Sequence, residues 1–448
     1  MNRVFIKTYG CQMNERDSEA VACKLQERGY EIVKNEEVAD VVLLNTCSVR
    51  DQAEQKAIGK AGHLSKRKRK NQKFIFGIMG CMAQNRGEEL FDLLPDLDLV
   101  VGTQKFHRVP EYLDEITEEH TLKPKNIFNL DTEEFSQEEI REHVYTQVAK
   151  VSAFVSIMQG CNMKCSFCIV PKTRGKERYR SIDSIEVEVQ DLVDRGVREI
   201  TLLGQIVNAY GRGSIPRKNG KSPFVQLLER LNKIDGLYRI RFTSPHPTSF
   251  GDDLIECYNN LSKLCEYAHL PMQSGSDKIL KLMNRPYSRM RFLEITKKLR
   301  NSHPDMRLST DVILGFPGEN EDDYALTKSA FQEAGFEMAF IFKYSERSGT
   351  PAVNFVDSVP QEIKEERNQN LLSLLKNQSF VANKLSINRS FEVLVEGKAK
   401  RGVDKMVGRT RCNRRVVFKG TEKMNGELLN ILIKDVTSTT LLGDISAQ

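Results

Sequence analysis

The segment "MQGCNMKCSFCIVPKTRGKERYR", residues 158–180, contains three closely spaced cysteines, Cys161, Cys165 and Cys168. It begins at the end of the apolar stretch "VSAFVSIM", which has the length of a buried strand. A closed zinc site takes four ligands, but the nearest other cysteines along the chain, Cys81 and Cys257, are each about eighty or more residues away. The segment therefore predicts a site at a strand end that is held by three thiolates.

Length and composition indicate a globular protein. The chain has 448 residues, of which 40% are hydrophobic and 29% charged, which is typical of two or three folded domains. No run of about 18 apolar residues is present, so we expect no membrane-spanning helix. The start, "MNRVFIKTYGC", is too short and polar for a signal peptide, which predicts a cytoplasmic location. In that reducing compartment, the ten cysteines are expected to be free, metal-bound or catalytic.

The positive charge is concentrated at the C-terminus. Residues 377–448 carry 13 Lys and Arg against 7 Asp and Glu, whereas the rest of the chain carries 54 of each. The net charge of +6 therefore lies entirely in this segment. Such an asymmetry is typical of an appended nucleic-acid-binding module, and the alternative is a chance imbalance on a solvated surface.

The fold class predicted from the apolar pattern is α/β. Strand-length runs at "RVFIKT", "DVVLLNT" and "KFIFGIMG", the first two joined by a predicted helix, indicate a parallel sheet in an N-terminal domain, residues 1–118. The charged, mostly acidic residues 119–144 are interpreted as a linker. Six further strand–helix units predict an incomplete (βα)6 barrel over residues 145–376. A β-rich segment, residues 377–443, predicts a small antiparallel barrel of the OB type.

Four cysteines share the same position relative to a predicted strand. Cys11, Cys47, Cys81 and Cys161 each follow an apolar run across a turn, in "FIKTYGC", "VLLNTC", "FIFGIMGC" and "FVSIMQGC". Because the carboxyl ends of parallel strands meet at one edge of a sheet, the first three are expected to lie together. The N-terminal domain is thus predicted to carry its own three-thiolate site. The remaining cysteines are interpreted as small buried residues: Cys23, Cys257, Cys265 and Cys412.

Sites rich in thiolates favour zinc or an iron–sulfur cluster. A 4Fe–4S cluster held by three thiolates leaves one iron without a protein ligand, and that iron can chelate a substrate. Three cysteines therefore suit a reactive cluster better than structural zinc. Structural zinc, in a non-catalytic RNA-binding protein, remains the alternative from another functional class.

Several motifs resemble those of the radical S-adenosylmethionine (SAM) methylthiotransferases. They are "TYGCQMNERDSE", "NTCSVRDQAEQK", "GCMAQ", "GCNMKCSFCIVPKTRGKERYRS", "LPMQSGSDKIL", "STDVILGFPGE" and "YSERSGTPA". In addition, "GRTRCNRRVVFKG" is similar to the TRAM domain of that family. The resemblance extends over nearly the whole chain. One departure is Ile206, which stands in "LLGQIVNAY" where the family usually has asparagine.

The resemblance implies an enzyme with two 4Fe–4S clusters. The cysteines of residues 158–180 would hold the cluster that binds and cleaves SAM, and Cys11, Cys47 and Cys81 would hold a second cluster that carries sulfur. A second SAM would supply the methyl group. The implied substrate is an N6-prenylated adenosine beside the tRNA anticodon, methylthiolated at C2. Related enzymes act instead on threonylcarbamoyl-adenosine or on an aspartate of a ribosomal protein.

The resemblance also implies partners and further contacts. The partners are tRNA, an electron donor of the flavodoxin or ferredoxin type and a sulfur donor, with no membrane. Residues at or near barrel strand ends are predicted to contact SAM or substrate: Gln205, Ser244, Gln273 and Asp311. A group of arginines in the C-terminal segment is predicted to contact RNA: Arg409, Arg411, Arg414 and Arg415. The basic run after the three cysteines is expected to meet RNA phosphates or a carboxylate, or to be a solvated face: Lys172, Arg174, Lys176, Arg178 and Arg180.

Overall fold

A computed structural model of the protein describes residues 2–48, 51–119, 126–131 and 151–446. It contains a six-stranded sheet, two three-stranded sheets and a closed barrel, together with one short two-stranded sheet. Within these ranges, every helix is too short or too polar to serve as a membrane span.

The N-terminal domain is a parallel sheet with helices on both faces. Its elements are β1 (Arg3–Tyr9), α1 (Gln12–Glu27), β2 (Glu31–Ile32), β3 (Val41–Thr46), α2 (Asp51–Lys70), β4 (Ile75–Gly80), α3 (Cys81–Arg86), α4 (Glu89–Leu93), β5 (Leu99–Val101), α5 (Val109–Glu119) and β6 (Ile127–Asn129). The strand order is β2-β1-β3-β4-β5-β6, and every pair is parallel. Strands β3 and β4 are buried along their whole length, as expected for apolar strands that are covered on both faces. The predicted parallel sheet is confirmed.

The sheet extends further along the chain than predicted. Residues 127–129, inside the predicted linker 119–144, form β6 and pair with β5 at the edge of the sheet. The prediction missed this strand because only two apolar residues, Ile127 and Phe128, stand in a charged surrounding sequence. Most of the predicted linker, residues 120–125 and 132–144, lies outside the described residues.

The central unit is an incomplete barrel of six parallel strands. Its elements are β7 (Ser152–Ser156), β8 (Met158–Gln159), α6 (Val170–Arg174), β9 (Arg178–Tyr179), α7 (Ile182–Asp194), β10 (Glu199–Leu203), α8 (Pro223–Leu231), β11 (Arg239–Phe242), α9 (Asp252–Asn260), β12 (Tyr267–His269), α10 (Asp277–Leu282), α11 (Arg289–Ser302), β13 (Arg307–Leu314), α12 (Glu321–Ala334), β14 (Met338–Lys343) and α13 (Gln361–Lys384). One half has the order β11-β10-β7 and the other β12-β13-β14. A parallel bridge between Ile240 and Leu264 joins the halves. The predicted (βα)6 arrangement is confirmed.

The predicted boundary at residues 376 and 377 falls inside α13. The first half of this helix packs on the barrel, where Asn368 donates to the carbonyl of Ile341. Its last turn belongs to the next unit, since Asn383 donates to the carbonyl of Thr437 at 2.9 Å. A continuous helix carries no turn signal, so the sequence pattern does not reveal where one unit gives way to the other.

The C-terminal unit is a closed five-stranded barrel. Its strands are β15 (Ser390–Lys398), β16 (Lys405–Thr410), β17 (Arg415–Lys419), β18 (Leu428–Val436) and β19 (Leu441–Ile445), in the order β15-β16-β17-β19-β18. Four of the five pairs are antiparallel, but β17 and β19 are parallel. The predicted small barrel is confirmed, and the prediction that all its strands are antiparallel is wrong for this one pair.

Buried arginines fasten the C-terminal barrel to the amino-terminal ends of the central strands. Arg239, at the start of β11, donates to the carbonyl of Arg409 at 2.6 Å, and its side chain is fully buried. Arg241 donates to the carbonyls of Arg411 and Thr410 at 2.7 and 2.9 Å. The small barrel therefore closes the end of the central barrel that lies opposite the carboxyl ends of its strands.

Glu337, just before β14, is the acidic centre of the same contact. Its carboxylate lies 3.0 Å from the guanidinium groups of Arg300, Arg307 and Arg414, and its side chain is 7% exposed. Arg307 belongs to the central barrel and Arg414 to the C-terminal barrel. One carboxylate thus balances buried positive charge from both units.

Replacement of Glu337 by Gln should lower the free energy of unfolding by about 3 kcal/mol, because Arg307 and Arg414 would remain buried without a counter-charge. A urea titration followed by circular dichroism measures this change. Glu422→Gln is the matched control, since Glu422 pairs with Lys398 on the surface and exposed pairs contribute little. Equal effects of the two substitutions would contradict the role given to Glu337.

Candidate active site

Strand register brings the three N-terminal cysteines together. Tyr9 is paired with Thr46, and Thr46 with Gly80, at the carboxyl ends of β1, β3 and β4. Cys47 and Cys81 follow directly, and Cys11 follows two residues after Tyr9. Neighbouring strands lie about 4.8 Å apart, so the three thiols meet at one edge of the sheet.

Two buried asparagines hold these strand ends in place. Asn14 donates to the Asn45 side-chain oxygen at 2.9 Å and to the carbonyl of Thr46 at 3.1 Å. It also accepts a hydrogen bond from the Cys11 thiol at 3.1 Å. Both asparagines are fully buried. The sequence analysis missed them, although an asparagine in the apolar run "VVLLNTC" was a usable signal.

Glycine is required at the turn before Cys81. Gly80 has a φ of +100°, and a Cβ at this position would lie 2.4 Å from the side-chain oxygen of Asn45 and 2.8 Å from the carbonyl of Thr46. Any other residue would therefore displace the strand end that carries the cysteine.

The thiols of this group influence one another electrostatically. A hydrogen bond with Cys47 lowers the pKa of Cys11 against the opposing effect of burial, and the positive charge of Arg174 acts in the same direction. Burial raises the pKa of Cys81, while Arg174 again opposes the shift. Arg174 belongs to the central barrel, so this group receives positive charge from outside its own domain.

The second cysteine group lies on the loop that follows β8. The Cys161 amide donates to the carbonyl of Gly175 at 3.0 Å, and the Cys168 amide donates to that of Cys165 at 3.1 Å. Asn284 fixes the middle of the loop by donating to the carbonyl of Lys164 at 2.6 Å. The loop is thus held between α6 and the end of α10.

A half-buried arginine contacts the central thiol of this group. Arg285 Nη1 lies 3.4 Å from Cys165 Sγ, and its Nε donates to the hydroxyl of Tyr287 at 3.1 Å. Burial raises the pKa of Cys161 to about 11 and that of Cys168 to about 12. These thiols would lose their protons when a metal binds.

The donor sets fit clusters better than single ions. In the described part of the chain, no three Cys, His, Asp or Glu side chains are arranged to hold one metal ion. A zinc site needs ligands that converge on one atom, whereas the cysteines of a 4Fe–4S cluster bind separate irons. Thiolate donors in two groups of three therefore suit iron–sulfur clusters. Of the other cysteines, Cys257, Cys265 and Cys412 are buried, as predicted, and Cys23 is half-buried.

The structure places three of the four predicted contact residues after the carboxyl ends of barrel strands and the fourth, Asp311, in the middle of β13. Gln205 and Ser244 follow β10 and β11, Gln273 follows β12, and Asp311 lies in β13. The side-chain oxygens of Gln205 and Gln273 are buried and, among the described residues, have no hydrogen-bond partner. Ser244 and Gln273 have φ values of +57° and +63°, a region that non-glycine residues rarely occupy outside constrained sites. Two orphaned amide oxygens and two strained residues on one face fit a polar ligand such as SAM.

His246 is a candidate that the sequence analysis missed. Its Nδ1 contacts the hydroxyl of Thr248 at 2.7 Å, while Nε2 is buried and makes no hydrogen bond to a described residue. Burial, and then the charges of Arg285 and Arg212, lower the pKa of His246 to about 3. The imidazole is therefore neutral at pH 7. A lone histidine in "SPHPTS" gave no motif from which this position was predictable.

The barrel interior presents a polar pair beside an aromatic ring. His269 Nε2 lies 3.2 Å from Asp311, and its Nδ1 lies 2.8 Å from the hydroxyl of Ser309. Phe340, on the neighbouring strand β14, contacts the His269 ring edge-on with a centroid distance of 6.2 Å and is 40% exposed. An aromatic heterocycle with polar edges matches this combination of surfaces.

The predicted RNA-binding arginines separate into two classes. Arg414 is buried and pairs with Glu337, and Arg411 makes three hydrogen bonds to the carboxylate of Glu266 at 2.6–3.0 Å. Both fasten the C-terminal barrel to the central barrel, and their contact with RNA stays a prediction. Arg409 pairs with Glu396 and is partly exposed, and Arg415 is exposed.

The basic run after the cysteines is not a uniform solvated face. Arg174 is buried against Asp17, and Arg180 pairs with Glu188. Lys172 is exposed and donates to the side chain of Asn85 in the N-terminal domain at 3.0 Å. Of the predicted alternatives, contact with a carboxylate is the one found for Arg174 and Arg180.

Three family profiles match successive parts of the chain. The uncharacterized protein family UPF0004 matches residues 3–102, the Radical SAM superfamily residues 155–329, and the TRAM domain residues 384–446. The last match begins at the end of α13, which agrees with the boundary in the structure.

Solved structures support the fold. The radical SAM methyltransferase TsrM from Kitasatospora setae has a TM-score of 0.59 at 12% identity, over 79% of this chain and 77% of that one. The cobalamin-dependent SAM radical enzyme OxsB has a TM-score of 0.53 at 11% identity, over 84% and 61%. At these identities, the likeness concerns the fold alone.

Curated relatives match over nearly their whole length. Proteins named tRNA-2-methylthio-N(6)-dimethylallyladenosine synthase are 52% identical in Opitutus terrae and 47% identical in Akkermansia muciniphila, each over 99% of this chain and 98% of the relative. The same name is carried by a Clostridium botulinum protein with 42% identity over 99% and 96%. This chain therefore belongs to the radical SAM methylthiotransferase family.

Proposed function

We propose that the protein is a tRNA-modifying enzyme that methylthiolates C2 of N6-dimethylallyl-adenosine beside the anticodon. The observation that carries this proposal is the gathering of two cysteine triplets, one at the carboxyl ends of three parallel strands and the other on the loop that follows β8. Relatives at 42–52% identity carry the name of that activity. Their names favour this substrate over threonylcarbamoyl-adenosine or a ribosomal protein.

The central triplet is the SAM-cleaving site. Cys161, Cys165 and Cys168 would hold a 4Fe–4S cluster, which together with SAM supplies the radical that activates the adenine. Arg285 contacts Cys165 and so keeps a positive charge against that thiolate. Gln205 and Gln273 would accept hydrogen bonds from the cofactor through their side-chain oxygens, which are buried and have no described partner.

The N-terminal triplet is the sulfur-carrying site. Cys11, Cys47 and Cys81 would hold a second 4Fe–4S cluster. The Asn14 and Asn45 side chains fix the strand ends on which these thiols stand. A sulfur donor would refill this site, and an electron donor of the flavodoxin or ferredoxin type would reduce the central one.

The adenine ring would be received inside the barrel. Asp311 and His269 offer polar atoms to the ring edge, and Phe340 offers an apolar face to the ring or the prenyl group. An N6-alkylated adenine retains one N–H donor, which the Asp311 carboxylate accepts. This arrangement would recognise the prenylated base through hydrogen bonding and apolar packing, not through a charge on the base.

The RNA contact surface lies at the free end of the C-terminal barrel. Exposed basic residues cluster in the β15–β16 loop and beside the end of β17: Lys398, Lys400, Arg401, Lys405, Lys419 and Lys423. Lys405 and Lys419 are direct cross-strand partners, and like charges opposite one another destabilise a sheet. Bound phosphates would offset this repulsion. Arg415 is exposed as well, so it remains a proposed RNA contact.

The activity has a direct test. The reconstituted protein, given SAM, a reductant and tRNA carrying N6-dimethylallyl-adenosine, should form the 2-methylthio nucleoside, which mass spectrometry detects. The matched control is the same tRNA without the prenyl group, which should react at least tenfold more slowly. Absence of product while both clusters are intact would refute the proposal.

Cysteine substitutions test the division of labour. The protein should bind about eight irons per chain, and Cys165→Ala and Cys47→Ala should each bind about four, because each loses one 4Fe–4S cluster. Cys165→Ala should abolish SAM cleavage, whereas Cys47→Ala should retain SAM cleavage and form no methylthio product. Cys23→Ala, outside both groups, should behave as the parent protein. If Cys47→Ala also lost SAM cleavage, the two sites would not have separate roles.

Salt titration tests the RNA surface. Lys400, Arg401 and Lys405 should be replaced together by Gln. The plot of the logarithm of the association constant for tRNA against the logarithm of the salt concentration should then be less steep by about 2, because three phosphate contacts are lost at about 0.7 each. Lys328→Gln, an exposed lysine on α12, serves as the control and should leave the slope unchanged. An unchanged slope in the triple variant would place the RNA elsewhere.

A further inference from the structure

A buried arginine of the central barrel enters the cysteine site of the N-terminal domain. Arg174 is the last residue of α6 and stands six residues after Cys168. Its Nη2 lies 2.6 Å from Asp17 of α1, and the two side chains are 3% and 2% exposed. Cys11 is the residue that caps the start of that same helix α1. The guanidinium therefore lies beside the thiols of the other domain.

The arginine is incompletely balanced by its carboxylate partner. Arg174 Nη1 is buried, and the ion pair with Asp17 is made through Nη2. The charge of Arg174 acts on both Cys11 and Cys81, and it is the strongest favourable charge at Cys81. Fully buried guanidinium groups are rare unless paired, so a site with further negative charge is expected around this one.

The helix that carries Arg174 is itself tied to both cysteine groups. The carbonyl of Gly175 accepts from the amide of Cys161 at 3.0 Å. On the other side, Thr103 of the N-terminal domain donates its hydroxyl to the carbonyl of Thr173 at 2.5 Å. The five residues of α6 thus connect the two groups of thiols.

Resting on the proposed function, we propose that Arg174 is a positioning residue for the N-terminal cluster. The guanidinium of Arg174 stabilises the anionic sulfur of that cluster and holds the N-terminal site in place relative to the SAM-cleaving site. Three thiolates around a 4Fe–4S cluster leave a net negative charge, and nearby positive charge favours the reduced form of such a cluster. A merely structural ion pair with Asp17 would hold the domains together without altering the cluster.

The test measures the reduction potential of the N-terminal cluster in the full chain. A Cys165→Ala background leaves this cluster as the one observed, and a redox titration is followed by electron paramagnetic resonance. Arg174→Gln should shift the midpoint to more negative values by at least a tenfold change in the reduction equilibrium, which is 59 mV for one electron. Arg174→Lys keeps the positive charge, so its midpoint potential should lie close to that of the Cys165→Ala background with Arg174 intact. Lys172→Gln, on the same helix and at the same domain contact, should show none.

The outcomes separate this proposal from the proposed function. If the Cys165→Ala background binds no iron, the proposed second cluster is wrong, whatever Arg174 does. If Arg174→Gln retains about four irons and an unchanged midpoint, the role of Arg174 is refuted. Loss of iron in Arg174→Gln with an unchanged circular dichroism spectrum supports the role. Should Arg174→Gln fail to fold, the Arg174→Met and Arg174→Lys pair decides: equal midpoints would overturn the proposal, and a more negative midpoint for Met would support it.

Discussion

Hydrogen bonding between parallel strands in register is the constraint on which the N-terminal cysteine group depends. The carboxyl ends of neighbouring parallel strands lie side by side, so residues placed just after these ends come close together even when their loops do not contact one another. In the N-terminal domain this convergence involves β1, β3 and β4, which are neighbours in the sheet. The carboxyl-terminal face of the central barrel is ordered by the same rule, which brings Gln205, Gln273 and Asp311 to one side.

The rest of the architecture uses buried charge to join the units. Glu337 balances arginines from the central and C-terminal barrels, and Asp17 pairs with Arg174 between the N-terminal domain and the central barrel. Buried ion pairs contribute little net stability, but the loss of one partner is costly. Such pairs define one docking geometry, because a misplaced domain would leave a charge buried alone. A site assembled from two domains requires that kind of specificity.

The sequence predicted the elements better than it predicted the roles of charged residues. The position of a cysteine after an apolar run is a local signal, and the structure places all four cysteines predicted in this way, Cys11, Cys47, Cys81 and Cys161, just after a strand. By contrast, Arg411 and Arg414 look the same in sequence whether they face RNA or a carboxylate such as Glu266 or Glu337. The partners lie about 80–150 residues away, and no local pattern encodes them. For the same reason, no local pattern indicated that Arg174 belongs to the N-terminal cysteine site. Strand β6 was not predicted because its few apolar residues stand among charged ones.

The attachment of the C-terminal barrel has a consequence for substrate choice. This barrel sits at the amino-terminal ends of the central strands, and the cysteines lie at the other ends. The eight residues of β13, allowing for strand tilt, set the two ends about 20 Å apart. An RNA that touches both must present its gripped stem and its reactive base at that separation. On the proposed function, the fold would thus act as a length gauge, because an RNA too short to span this separation would lose the contacts at one of the two ends.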